Sequence, residues 1–180
     1  MVCVRVRSVP SGLGRGFRAA LLLAVLVVAG GRADERPEGV DTVPLQGTME
    51  GYLVTREESG AEQLTELGEV RPGQVIEYRI VYTNLSDRVL RDIAVGGLIP
   101  EQTVYLAGSA TATRWRQPRF SIDGGRRFQQ EPVRYTLRLD NGDEEERIAE
   151  PGMYTHVRWV TPRLEPAARI RFRYRVVVRE

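Results

Sequence analysis

Residues 169–178 (RIRFRYRVVV) alternate strictly: Ile170, Phe172, Tyr174, Val176 and Val178 fall on one side, and Arg169, Arg171, Arg173 and Arg175 on the other. A pleated strand sorts these residues onto two faces, whereas a 3.6-residue helical period would scatter the arginines around the cylinder. The chain therefore needs a sheet that is dry on one side and wet on the other. The same period runs through 74–84, where Ile76, Tyr78, Ile80 and Tyr82 oppose Glu77, Arg79, Val81 and Thr83. It returns at 133–139, with Val133, Tyr135, Leu137 and Leu139 against Arg134, Thr136 and Arg138. At 154–161 it sets Val157 and Trp159 opposite Tyr154, His156 and Arg158.

Turn chemistry punctuates these runs. In Arg71-Pro72-Gly73-Gln74, proline sets φ at the first central position of a type II turn and glycine supplies the positive φ of the second. Asn84-Leu85-Ser86-Asp87 closes the following strand. The next, 89–98, ends before Pro100, whose missing N–H suits a strand terminus, and 103–110 follows with Val104 and Leu106 on one side. Asp123-Gly124-Gly125 marks a hairpin between Phe120-Ser121-Ile122 and Arg127-Phe128, and Asn141-Gly142 a second tight turn. Residues 60–67 read as a connecting loop. The sum is an all-β antiparallel sandwich of seven to nine strands.

Ahead of it, residues 1–18 carry four arginines and no acid. Residues 19–31 are an uninterrupted run of thirteen apolar or small residues, and Gly31-Arg32-Ala33 offers a cleavage site. A membrane-spanning helix needs roughly 18 or more apolar residues, so the reading is a signal peptide over 1–33. No transmembrane segment is expected once it is cleaved. Residues 34–47 (DERPEGVDTVPLQG) have no period and read as a flexible leader, which leaves 48–180 for the sandwich. Cleavage after Ala33 removes five of the 26 basic residues, all arginine, and leaves 21 against 24 acids, a net charge of −3. That balance does not suit a nucleic-acid partner.

The inventory closes several chemistries. The one cysteine, Cys3, lies in the leader, so the mature domain has no thiol nucleophile, disulfide or thiolate metal site. Without lysine there is no Schiff-base chemistry. His156 is the sole histidine, which rules out a multi-histidine metal centre, and a hydrolytic triad would have to converge on that ring. No cofactor and no metal site is expected.

Several pieces in order resemble the bacterial conserved-repeat family known as domain of unknown function eleven. They are Pro72-Gly73, residues 77–84 (EYRIVYTN), Leu98-Ile99-Pro100, Thr103-Val104-Tyr105 and Gly108-Ser109-Ala110, then Arg158-Trp159 and the strand at 170–178. The resemblance covers about residues 49–178 and implies an immunoglobulin-like sandwich of envelope and surface proteins, with no catalytic residues to carry over. Gly96-Gly97 stands where many members have an aspartate before the Ile-Pro strand end, which removes one oxygen ligand from any calcium reading.

Five features merit a functional reading beside a structural one. Residues 121–128 (SIDGGRRF) look like the Asp-box hairpin of sialidases, a fold-stabilising turn remote from their chemistry. Residues 140–146 hold five carboxylates in seven positions but lack calcium-loop spacing, and read as a solvated hairpin loop. The comb Arg169, Arg171, Arg173 and Arg175 can meet an anionic polysaccharide or lipid headgroup; the reading preferred here is that it guards an edge strand. Trp115, between Arg114 and Arg116, either stacks on a sugar or partner or plugs the end of the sandwich. Asn84-Leu85-Ser86 fits a glycosylation triplet, to which no weight is given. The expectation is an exported, non-enzymatic structural or protein-interaction module, periplasmic or at the cell surface, whose partner is an envelope protein or glycan. The alternative is a glycan-binding module using Trp115, Arg114 and Arg116.

Overall fold

The computed structural model describes residues 21–23, 44–114 and 116–180. Most of the expected signal peptide and of the flexible leader, like Trp115, lies outside them; Leu21–Leu23 of that signal segment form a short strand paired with residues 47–49. The described chain is all-β and antiparallel, with one 3-10 turn at Pro151–Met153. Its strands are β1 (Leu21–Leu23), β2 (Leu45–Arg56), β3 (Glu62–Glu66), β4 (Val75–Asn84), β5 (Leu90–Leu98), β6 (Thr103–Tyr105), β7 (Arg119–Ser121), β8 (Arg134–Arg138), β9 (Glu144–Ile148), β10 (His156–Leu164) and β11 (Arg169–Val178).

The larger sheet runs β1-β2-β4-β11-β6, with β3 also on β2; the smaller is β5-β10-β7; β8 and β9 form a separate ribbon. The two sheets face each other across a core that the period-two reading anticipated. Ile76, Ile80, Tyr82, Ile170, Phe172, Tyr174 and Val176 come from one sheet, and Ile93, Val95, Phe120, Val157 and Trp159 from the other. Trp159 stacks on Phe172 with centroids 4.6 Å apart, and its indole N–H donates to the Thr111 carbonyl at 2.7 Å. That bond answers the polar end of a fully buried ring. Tyr105, Phe120 and Tyr154 close one end as an aromatic cluster with centroids 4.6 to 5.9 Å apart.

Buried tyrosines also bolt the sheets together. Tyr82 reaches across from β4 to donate to the Gly96 carbonyl at 2.9 Å, and Tyr174 from β11 to the Leu98 carbonyl. Gly97 lies under these rings: a Cβ there would sit 3.0 Å from both Ile80 and Tyr174. Gly97 therefore makes room for the Tyr174 crossbeam, while a Cβ at Gly96 would meet the Val157 carbonyl of β10 at 2.3 Å.

Turns fall where their residues require. Gly73 takes φ +80° and Gln74 N–H donates to the Arg71 carbonyl at 3.2 Å. Asn84 is fully buried, its amide donating to the carbonyls of Arg88, Leu164 and Glu165 and accepting from Ser86. An amide spent on five bonds is a structural brace, consistent with giving the glycosylation triplet no weight.

Two expectations change. Residues 60–67 contain β3, which pairs with residues 52–56 of β2. Only Leu64 within it is half-buried, so an edge strand held by backbone bonds carries no apolar alternation to read. β2 begins at Leu45, buried in the core and inside the expected leader. Val104 and Leu106 share a side, as read, while Thr103 and Tyr105 point inward.

Candidate functional site

The chemistry-bearing side chains gather at the hairpin after β7. Ser121 Oγ donates to Asp123 Oδ1 at 2.7 Å and accepts from the Gly125 N–H at 2.9 Å. Asp123 Oδ1 in turn accepts from the N–H groups of Arg126 and Arg127 at 3.1 and 3.0 Å. Those backbone bonds, Arg127's first and then the Ser121 hydroxyl, hold the Asp123 carboxyl below its usual range. This is the fold-stabilising turn that the Asp-box likeness implied. Gly124 and Gly125 take φ +73° and +85°, which a side chain would resist.

The register of β10 against β7 places His156 beside Ser121, so Ser121, Asp123 and His156 meet in space although sequence order gave no sign of it. Their wiring does not suit acyl transfer. The buried Ser121 hydroxyl donates its hydrogen bond to Asp123, and His156 Nδ1 lies 3.1 Å from Thr155 Oγ1. A nucleophile–base pair requires serine and imidazole to bond each other. Burial pushes the His156 pKa down, and the Asp123 charge opposes this only in part.

On the outer face of the small sheet, Arg158 and Arg119 sit side by side in register on β10 and β7. Phe128, carried over β10 by the hairpin, lies 3.9 Å beneath the Arg158 guanidinium and meets His156 edge-on at 6.5 Å. Arg158 Nε is buried without a hydrogen-bond partner. Burial, then the neighbouring Arg119 charge, lowers the Arg158 pKa.

The arginine comb lies on the outer face of the large sheet and is partly spent. Glu77, on the same face of β4, is fully buried beneath arginines: Arg79 Nε at 2.8 Å, Arg175 Nε at 2.9 Å and Arg173 Nη1 at 3.5 Å. Arg175 also grips Glu62 of β3 through both terminal nitrogens, at 2.8 and 3.1 Å. Burial alone would raise the Glu77 pKa, but the hydrogen bonds and charges of Arg79 and Arg175 outweigh it, and the net direction is down. The edge-guard reading applies to one end only. β11 is interior over its C-terminal half, where β6 pairs with it, and the 106–111 segment bonds to Arg173 and Arg175. Arg169 and Arg171, exposed and without an ion pair among the described residues, stand at the remaining edge.

Arg114 and Arg116 lie in a tight turn closed by paired backbone bonds between Thr113 and Arg116, both 3.1 Å. Arg114 is exposed and engaged, and Arg116 is half-buried. Beyond them a shallow cleft of about 250 Å³ is lined by Gln117, Pro118, Gln130 and Glu131. Glu131, its pKa raised by burial, accepts a 3.4 Å hydrogen bond from Tyr154. The acidic loop spreads its charges over the exposed β8–β9 ribbon, where Glu146 pairs with Arg134 and Glu145 with Arg147. Among the described residues no group of three or more side chains could hold a metal ion, and no helix is long and apolar enough to cross a membrane.

Sequence reasoning missed the Glu77 cluster and the Arg119–Arg158–Phe128 group, because both are products of strand register. Compared with known protein families, curated proteins and solved structures, the chain matches none.

Proposed function

We infer that this chain is an exported, non-enzymatic β-sandwich of the bacterial envelope, immunoglobulin-like in kind, serving as a structural or protein-interaction module. The observation that carries the reading is the fate of the three side chains with the most catalytic potential. Ser121 and Asp123 are consumed in holding a hairpin, and the His156 nitrogen facing that hairpin is engaged by Thr155. Further support comes from the basic, then apolar, then small-residue order of residues 1–33, which suits an export signal. Contacts would run through the loops at one end of the sandwich or along a sheet edge.

The test is fractionation of cells producing the full chain with a C-terminal tag, followed by N-terminal sequencing and a hydrolase screen of the recovered protein. The expected result is an envelope or periplasmic product starting near Asp34 and without turnover. Recovery solely from cytosol with Met1 intact overturns the export half. Turnover abolished by His156→Ala overturns the non-enzymatic half.

A further inference from the structure

Most arginines on the large sheet and on the ribbon face a carboxylate, and on the small sheet Arg163 pairs with Glu165, but Arg119 and Arg158 on its outer face have no such partner among the described residues. Arg56, Arg79, Arg173 and Arg175 pair with Glu62 or Glu77, Arg134 with Glu146, and Arg147 with Glu145. Arg119 and Arg158 stand in register on neighbouring strands, roughly 4.8 Å apart, with no ion pair among the described residues. Arg126 and Arg127, also without one, lie exposed on the hairpin that delivers Phe128 to Arg158. Two carboxylates close by in the chain are committed elsewhere. Asp123 takes the backbone N–H groups of its own turn, and Glu131 is bonded by Tyr154.

This arrangement costs something to maintain. Two guanidinium groups repel across the strand pair, and one of them has a buried Nε with nothing to donate to. An oxyanion arriving at the face offsets that repulsion, since a carboxylate accepts N–H bonds from the terminal nitrogens of an arginine fork. Phe128 fixes the Arg158 plane, so little side-chain freedom is lost on binding. The face is open, and a single small anion would be held there weakly against water. A polymer that repeats its anions can engage Arg119, Arg158 and the hairpin arginines together. The cleft lined by Gln117, Pro118, Gln130 and Glu131 begins one residue before Arg119 in the chain; it offers two amide groups, and its one carboxylate, Glu131, is bonded by Tyr154. Amides are partners for hydroxyl groups, which a carboxylated sugar carries and an acidic peptide side chain does not.

We propose that the outer face of the small sheet, centred on Arg119 and Arg158 over Phe128, binds a carboxylate-bearing polysaccharide. The proposal stands on this geometry alone and does not depend on export or on the protein-interaction reading, so either can fail without the other.

The test measures retention and affinity of the purified full chain on polygalacturonate at low and physiological salt. Neutral galactan, poly-glutamate and inorganic phosphate serve as comparison probes. Salt-sensitive binding to polygalacturonate and none to galactan is expected, with affinity falling about tenfold for exposed Arg119→Ser, the loss of one charge-assisted contact. Arg169→Ser/Arg171→Ser, which removes more charge from the opposite sheet, should leave binding within about twofold of the parent, as expected for exposed positions outside the contact. Equal or greater loss in that control variant would show diffuse attraction and overturn the site. Poly-glutamate binding as tightly as polygalacturonate assigns the face to acidic peptide and overturns the saccharide. Phosphate binding as tightly as the polymer overturns the polymer, and absence of binding to every polyanion overturns the proposal outright.

Discussion

Glu77 offers the sharpest stability test, because a carboxylate on the outward side of a strand has no apolar reason to be buried. It accepts hydrogen bonds from Arg79 Nε at 2.8 Å and Arg175 Nε at 2.9 Å. Charge-assisted bonds contribute about 1.5–3 kcal/mol each. The arginines keep part of their surface wet, with side chains 48 % and 20 % exposed, so water returns some of that when the carboxylate is lost. Glu77→Gln preserves shape and one acceptor, and the net cost works out at about 2 kcal/mol. For a domain of this size that lowers Tm by roughly 6–8 °C. Because the folded carboxyl titrates below its ordinary value, its contribution is fully present above the unfolded pKa and is lost as pH falls through the folded one. The gap between parent and variant in thermal denaturation should therefore be full at neutral pH and close progressively below about pH 4.5. An unchanged Tm at neutral pH, or a gap that does not narrow as the pH is lowered, refutes the ion cluster as described.

Three other perturbations probe separate parts of the structure. Gly97→Ala would press a methyl against Ile80 and Tyr174 and should destabilise by about 1–3 kcal/mol in urea unfolding; a neutral result would mean that the rings have room to give. Asn84→Ala strands three carbonyls between the 84–88 turn and the end of β10, with an expected loss of about 3 kcal/mol. A loss under about 1 kcal/mol would place those carbonyls in water. The His156 ring should titrate by NMR below the ordinary imidazole value, since burial disfavours its charged form. Stability then rises with pH from the folded pKa up to the unfolded one, and a midpoint above the ordinary value would contradict the packing of that ring.

What could be read in advance follows from which forces leave a mark on single residues. Side-chain alternation at β4, β10 and β11 records burial directly, and Pro72-Gly73 or Gly124-Gly125 record backbone angles, so these elements and turns were legible. β3 was not, because its stability comes from main-chain bonds that any residue makes. The Asp-box turn was legible from spacing, whereas His156 beside Ser121 and Arg119 beside Arg158 required the register of β10 on β7. Glu77 showed only as a polar residue on a wet face; its burial follows from arginines supplied by a strand about a hundred positions later. Burial also fades along β8, from Val133 in the core to Leu139 at 36 % exposure, a gradient that alternation alone does not encode.

That gradient means the β8–β9 ribbon is an appendage with its own root. Val133 and Ala149 are both buried, and the Ala149 N–H donates to the Val133 carbonyl at 2.8 Å, so the two stems are already joined where the ribbon leaves the body. Beyond that clasp its strands associate chiefly with each other. Length, charge and even sequence there are free to drift, and a foreign peptide spliced in place of Asn141-Gly142 would be displayed clear of the globule while the tyrosine crossbeams beneath went undisturbed.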